Sequence, residues 1–129
     1  MLLIDANAIL RYMLNDNPEM AVKTRDLIAN SKVYLRHEVL AEVVYVLNKV
    51  YMLPKTEIAA SLEELLANPN IETEAKGVVA VALKAYKDLN MDFVDCILYA
   101  FKVVCNHDVF TFDKKLNSMI NRIGSAEKA

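Results

Sequence analysis

The sequence predicts an α/β fold in which helices cover both faces of a parallel sheet. Short apolar segments at residues 2–4, 33–35 and 109–111 are typical of buried strands, and residues 71–73 are a further candidate strand. Segments with apolar residues at helical spacing separate them. Because parallel strands need crossover connections, usually helices, this alternation favours a parallel sheet over an antiparallel one.

Hydrophobic spacing and capping residues predict the helices between these strands. Asn17 and Pro18 are a cap and a first helical residue. The segment 37–52 is apolar around most of its circumference, which predicts a central, buried helix. The predicted helices cover residues 9–14, 18–30, 37–52, 54–68, 75–90, 93–105 and 113–120.

Length and composition exclude several classes of protein. A chain of 129 residues predicts one domain over 1–129, and two glycines exclude glycine-rich phosphate loops. The net charge of -2 excludes binding of nucleic acid through global charge, so any such binding needs a local patch. Cys96 and Cys105 are predicted to be reduced core thiols. With no signal-peptide pattern and no long apolar run, we expect a cytoplasmic protein without membrane contact.

Four acidic residues stand in apolar surroundings. Glu42 is the one charge in residues 39–47, whereas Asp5 and Asp113 each follow an apolar strand and precede a helix. Asp95 lies three residues after Asp92, a spacing close to that of a capping box. Each has a structural alternative: Asp5 and Asp113 as helix caps, Asp95 in the capping box, and Glu42 reaching solvent from a crowded helix.

Taken together, these acids predict a metal site. The carboxyl ends of parallel strands share one edge of a sheet, so we expect Asp5 and Asp113 to be near neighbours, with Glu42 and Asp95 leaning over the same edge. Converging carboxylates repel unless cations lie among them, and all-carboxylate ligation selects Mg²⁺ or Mn²⁺ over zinc. Such ions serve in-line phosphoryl chemistry with water as the nucleophile.

The order of these motifs resembles the PIN domain. The residues that carry the resemblance are Asp5-Ala6-Asn7, Leu40-Ala41-Glu42-Val43-Val44, Asp92-Phe93-Val94-Asp95-Cys96-Ile97-Leu98 and Thr111-Phe112-Asp113. Size and layout resemble the VapC-type toxins of toxin–antitoxin pairs. The resemblance implies a three-layer α/β/α sandwich, a parallel sheet of order 3-2-1-4-5, and ribonuclease activity that depends on one or two Mg²⁺ or Mn²⁺ ions.

The resemblance also assigns roles to residues. It places Asp5, Glu42, Asp95 and Asp113 as catalytic metal ligands, with Asn7, Thr111 and Asp92 as supporting polar residues. Asp95 matches better than Asp92 because the family acid directly precedes the small and apolar helix start, although Cys96 stands where alanine is common. The resemblance implies five strands, but no fifth strand is identifiable after Ile120. The sheet is therefore expected to have four or five strands.

Substrate and partners follow from local features. Arg11, Arg36, Lys114 and Lys115 are candidate RNA contacts, with solvated surface charge as their alternative. The apolar surface of the 37–52 helix predicts a twofold dimer. The residues that supply this surface are Val44, Tyr45, Leu47 and Tyr51. The resemblance implies a small cognate antitoxin protein as a further partner.

Two other functions compete with a metal-dependent endoribonuclease. A phosphoacceptor receiver domain would need an aspartate after a strand near residue 50, and residues 48–52 contain none. A catalytically silent PIN-like binding module is disfavoured because all four acids are present. A nuclease assay with and without a chelator distinguishes the silent module from the enzyme.

Overall fold

The computed structural model describes residues 1–128, and side chains are described through Ile123. Its contacts divide the chain into two compact units, Met1–Glu74 and a second unit that begins at Ala75. The described residues form seven helices and three parallel strands, so the predicted α/β class is confirmed. The single domain over 1–129 stays a prediction.

The first unit contains the sheet and four helices. Its elements, in chain order, are β1 (Leu2–Leu3), α1 (Ala6–Leu14), α2 (Pro18–Asn30), β2 (Val33–Tyr34), α3 (His37–Lys49), α4 (Lys55–Leu66) and β3 (Ile71–Glu72). Its core is aliphatic. The largest fully buried side chains of this unit are Ile9, Ile28, Val33, Leu35, Leu40, Val43, Leu47, Ile58, Leu62 and Ile71.

The sheet has the order β1-β2-β3, with all strands parallel. Val33 of β2 is in register with Leu2 on one side and Ile71 on the other. β1 therefore forms an edge, and its two residues are exposed, so the prediction of a buried first strand is wrong. Pairing on one side leaves β1 without a neighbour that would cover it.

Two helices of this unit begin at side-chain caps. The Oδ1 atom of Asp5 accepts from the backbone N–H of Ala8 at 2.9 Å, and Asn17 Oδ1 accepts from Met20 N at 3.1 Å. Pro18 occupies the first turn of α2, where its missing N–H costs nothing. The predicted start of α2 is confirmed, and α1 begins at Ala6, directly after its cap Asp5.

α3 is amphipathic and not buried all round, which corrects the prediction. Leu40, Val43 and Leu47 are buried, whereas Tyr45 is 63% exposed. The helix also ends at Lys49, whereas the prediction extended it to Met52. Met52 adopts a left-handed φ of 57°, which is incompatible with a right-handed helix. The sequence suggested full burial because a tyrosine such as Tyr45 counts as apolar in the pattern whichever way it faces.

The second unit is helical. It contains α5 (Lys76–Asp88), α6 (Phe93–Cys105) and α7 (Lys114–Lys128). α5 packs on α6, where the rings of Tyr86 and Phe93 meet edge to face at 5.7 Å, and α6 contacts α7. α6 has its predicted bounds. Cys96 is buried, but Cys105 is exposed, so only one of the two predicted core thiols is in the core.

The predicted strand at residues 109–111 is wrong, because this segment is irregular. Its polar groups are satisfied locally: the Thr111 carbonyl accepts from Asn117 Nδ2 at 2.8 Å, and Asp113 N–H donates to Thr111 Oγ1 at 3.0 Å. Such local bonds compete with ladder bonds. Phe110 and Phe112 are nine-tenths exposed. The described sheet thus has three strands where four or five were predicted.

None of the helices in the described part of the chain is long and apolar enough to cross a membrane.

The Asn17 cap yields a test of the fold. Asn17→Ala removes the acceptor for Met20 N–H, and we expect a loss of about 1 kcal/mol in the free energy of unfolding. Urea denaturation measures this loss. Asn90→Ala, at an exposed residue between helices, is the matched control and should change stability by less than about 0.5 kcal/mol. Equal effects of the two substitutions would contradict the capping role.

Candidate functional site

The four predicted acids are divided between the two units. Asp5 and Glu42 belong to the first unit, and Asp95 and Asp113 to the second. Asp5 lies between β1 and α1, is exposed, and uses Oδ1 as the helix cap. Its Oδ2 atom makes no hydrogen bond within the described part of the chain. One oxygen of this carboxylate therefore holds the helix while the other can accept a ligand.

Asp5 opens onto a groove between α1 and α2. This concavity has a volume of about 670 Å³. Its lining includes Asp5, Asn7 and Arg11, three residues predicted to serve the site, together with Lys23. Asn7 is exposed on the first turn of α1. With Asp26 and Asn30, which also line it, the groove places two carboxylates, two amides and two cationic side chains around one volume.

Glu42 lies on the exposed side of α3. The neighbouring turns of this side carry Glu38, Tyr45 and Lys49, whereas Leu40 and Val43 face the core. The Glu42 carboxylate forms no ion pair with any side chain that the structure describes. Glu42 thus reaches solvent within its own unit, as the alternative interpretation expected, and its role as a metal ligand stays a prediction.

Three carboxylates lie near one another in the second unit. Burial of the half-buried Asp95 carboxyl raises its pKa, and the charges of Asp113 and Asp92 raise it further. Asp92 occupies the N-cap position of α6 but makes no side-chain capping bond, so the predicted capping box does not form. We call these three residues, Asp92, Asp95 and Asp113, the acidic cluster. None of them forms an ion pair with a cation among the described side chains.

Asp113 is held from both sides. Its Oδ1 atom accepts from Leu116 N–H at 2.8 Å and so caps α7, and its own N–H donates to Thr111 Oγ1. Asn117 fixes Thr111 in turn through the Thr111 carbonyl. Thr111 is thus a positioning residue for Asp113. The sequence reasoning missed Asn117, although an amide four residues after a capping aspartate is a visible signal.

The two arginines predicted to contact RNA are engaged in ion pairs. Arg11 Nη1 lies 2.7 Å from Asp16 Oδ2, and Arg11 Nη2 donates to the Tyr51 hydroxyl at 3.3 Å. Arg36 forms an ion pair with Glu38, and its Nη2 atom also lies 4.0 Å from Glu74 Oε2. Both guanidinium groups are thus paired with acidic side chains of their own unit, and their contact with RNA stays a prediction.

The two lysines differ from the arginines. Lys114 and Lys115 are exposed on the first turn of α7 and form no ion pair with the side chains that the structure describes. Lys23 in the α1–α2 groove, which the sequence reasoning did not select, is exposed in the same way. Its signal in the sequence is weak because it is one of many helical lysines.

The chemistry of these donors fits a hard divalent cation. Carboxylate oxygens are the ligands that Mg²⁺ and Mn²⁺ prefer, and the raised pKa of Asp95 marks a charge that a cation would stabilise. Among the described residues, however, no three His, Cys, Asp or Glu side chains are grouped closely enough to hold a metal ion. The cluster in the second unit therefore supplies an incomplete ligand set by itself.

Asp95 yields a prediction with a defined sign. Its folded-state pKa is raised, so its ionised carboxylate costs stability at neutral pH, and this cost disappears as pH falls below the ordinary carboxyl pKa of about 3.9. Asp95→Asn should therefore raise the melting temperature at pH 7 without metal, and the difference from wild type should vanish near pH 3.5. Thermal melts across this range measure it. A lower melting temperature for the variant at pH 7 would contradict the repulsion.

One comparison with known proteins gives a match. The model of the PIN domain family matches residues 2–120. No curated protein and no solved structure matches the chain. PIN domains are generally nucleases and typically bind divalent metal ions. Because the match covers nearly the whole sequence, the chain belongs to the PIN domain family.

Proposed function

We propose that the protein is a Mg²⁺- or Mn²⁺-dependent endoribonuclease. The observation that carries this proposal is the acidic cluster of Asp92, Asp95 and Asp113, in which burial and the two neighbouring acidic charges raise the pKa of Asp95, and no described cation pairs with the cluster. A stable fold gains nothing from such repulsion, so a ligand of opposite charge is the simplest reason for it. Membership of the PIN family supports nuclease chemistry in particular.

The proposed ligand set is the predicted one. Asp5, Glu42, Asp95 and Asp113 would hold one or two divalent ions, with Asn7 and Asp92 as supporting groups. When bound, such an ion neutralises charge on the phosphate and makes a water molecule acidic enough to attack it. The chain itself orients the carboxylates: Thr111 and Asn117 fix Asp113 at the start of α7, and the cap to Ala8 fixes Asp5.

The capping bonds permit a clean separation of folding from catalysis. Asparagine caps helices about as well as aspartate, so Asp5→Asn and Asp113→Asn keep an acceptor for Ala8 N–H and Leu116 N–H. Each substitution removes one negative charge only. A loss of activity in these variants therefore reports on the charge of the carboxylate and not on helix stability.

We expect RNA cleavage that depends on the metal and on these charges. Purified protein should cleave structured RNAs with Mn²⁺ and not with EDTA, and Asp5→Asn and Asp113→Asn should each reduce the rate more than about 100-fold, since even outer-shell changes cost 10–100-fold. Gel analysis of a panel of RNAs measures the rate. Asp88→Asn, an exposed aspartate at the end of α5, is the matched control and should cleave like wild type.

Two outcomes would overturn the proposal. Cleavage that persists in EDTA would exclude metal dependence, and full activity of both asparagine variants would exclude the assigned carboxylates. A protein that binds RNA but cleaves none would favour the catalytically silent binding module instead, which the intact set of acids does not favour.

The proposal extends to biological role and partners. We propose that the enzyme is the toxin of a toxin–antitoxin pair, held by a small cognate antitoxin protein, and that it forms a homodimer. The exposed Tyr45 and Tyr51 on and after α3 supply apolar surface for a dimer. Val44 and Leu47, which also entered the dimer prediction, are buried within their own unit and contribute nothing to such a surface.

A further inference from the structure

The described part of α7 separates apolar from polar side chains completely. Leu116 and Met119 are buried, and Ile120 and Ile123 lie on the same side of the helix. At 100° per residue, all remaining side chains fall within an arc of about 160° on the opposite side. They are Lys114, Lys115, Asn117, Ser118, Asn121 and Arg122.

The charge of this polar side is of one sign. Residues 114–123 contain three cations and no acid, in a chain whose net charge is -2. Lys114, Lys115 and Arg122 form no ion pair with any described side chain. A solvated helix face commonly mixes both signs, as α4 does with Lys55, Glu57 and its two later glutamates. The bias on α7 therefore favours a partner of negative charge.

A shallow, open depression of about 490 Å³ runs along the polar side. Its lining consists of Lys114, Asn117, Ser118, Asn121 and Arg122. Eight residues of α-helix place the two cations at its ends about 12 Å apart along the axis. Asp113, the capping carboxylate of the proposed metal site, directly precedes the first of these cations.

We propose that Lys114, Ser118, Asn121 and Arg122, the α7 strip, bind the phosphate backbone of the RNA strand on one side of the cleaved bond. The RNA occupant rests on the proposed function. Lysine, arginine, serine and asparagine all donate to phosphate oxygens and read no sequence in doing so. Asn117 is excluded from the strip because its amide donates to the Thr111 carbonyl.

The strip predicts a defined salt dependence. Each phosphate contact to a single strand contributes about 0.7 to the slope of log K against log salt concentration. Lys114→Gln with Arg122→Gln should therefore lower the slope by about 1.4. If affinities converge at 1 M salt, this corresponds to about 25-fold weaker binding at 0.1 M. Binding should weaken equally for RNAs of different sequence.

Binding is measured in EDTA, so that cleavage plays no part. Fluorescence anisotropy of a labelled single-stranded oligoribonucleotide is recorded with the full chain carrying Asp5→Asn, at several salt concentrations. Lys84→Gln with Lys87→Gln, two exposed lysines of α5, is the matched control for the loss of two charges. If the double variant has a reduced melting temperature, Lys114→Gln alone replaces it in the test. The single variant is expected to lower the slope by about 0.7.

The outcomes separate this inference from the proposed function. A lower slope for the α7 variants and an unchanged slope for the α5 control support the strip, even if the wild type cleaves no RNA. Equal slopes for the two pairs overturn the strip, even if cleavage depends on Mn²⁺ as expected. Loss of affinity for an acidic protein with no change toward RNA would also overturn it. In an active enzyme, the α7 changes should raise KM and leave kcat unchanged.

Discussion

The constraint on which the proposed site depends is a half-buried carboxylate, Asp95, beside the charges of Asp113 and Asp92. Asp95 lies on the first turn of α6, and Asp113 is held by its cap to Leu116 N–H and by its bond to Thr111. A folded chain that keeps these charges together loses stability at neutral pH. A divalent cation at the proposed site would offset this cost, and PIN domains typically bind such ions.

Two of the four acids combine structure and proposed chemistry in one side chain. Asp5 and Asp113 each cap a helix through Oδ1, and the cap orients the second oxygen without additional residues. The structural and functional interpretations of these aspartates are therefore compatible. From Asp113, α7 continues with a basic surface, so the residues that would hold a metal and those that would hold a phosphate backbone follow one another in the chain.

Local signals were sufficient for the helices and insufficient for the sheet. Asn17 with Pro18, and the apolar pattern of Phe93–Cys105, predicted helices at their observed positions because caps and spacing lie within the segment itself. Residues 109–111 have strand composition but form local bonds to Asp113 and Asn117, which composition cannot reveal. The partner of Arg11 is equally hidden, since Tyr51 is 40 residues away. The assignment of Asp5, Glu42, Asp95 and Asp113 as metal ligands, and their convergence, stay predictions.

The central proposal is that Asp5 and Asp113 are ligands of the same divalent cation. Calorimetric titration of Mn²⁺ into the wild type, Asp5→Asn, Asp113→Asn and the double variant tests it directly. We expect each single variant to bind Mn²⁺ at least about tenfold more weakly, which is 1.4 kcal/mol. We expect the double variant to lose less than the sum of the two, because ligands of one ion are coupled. Unchanged Mn²⁺ affinity in either single variant, or losses that add in full, would contradict a shared site.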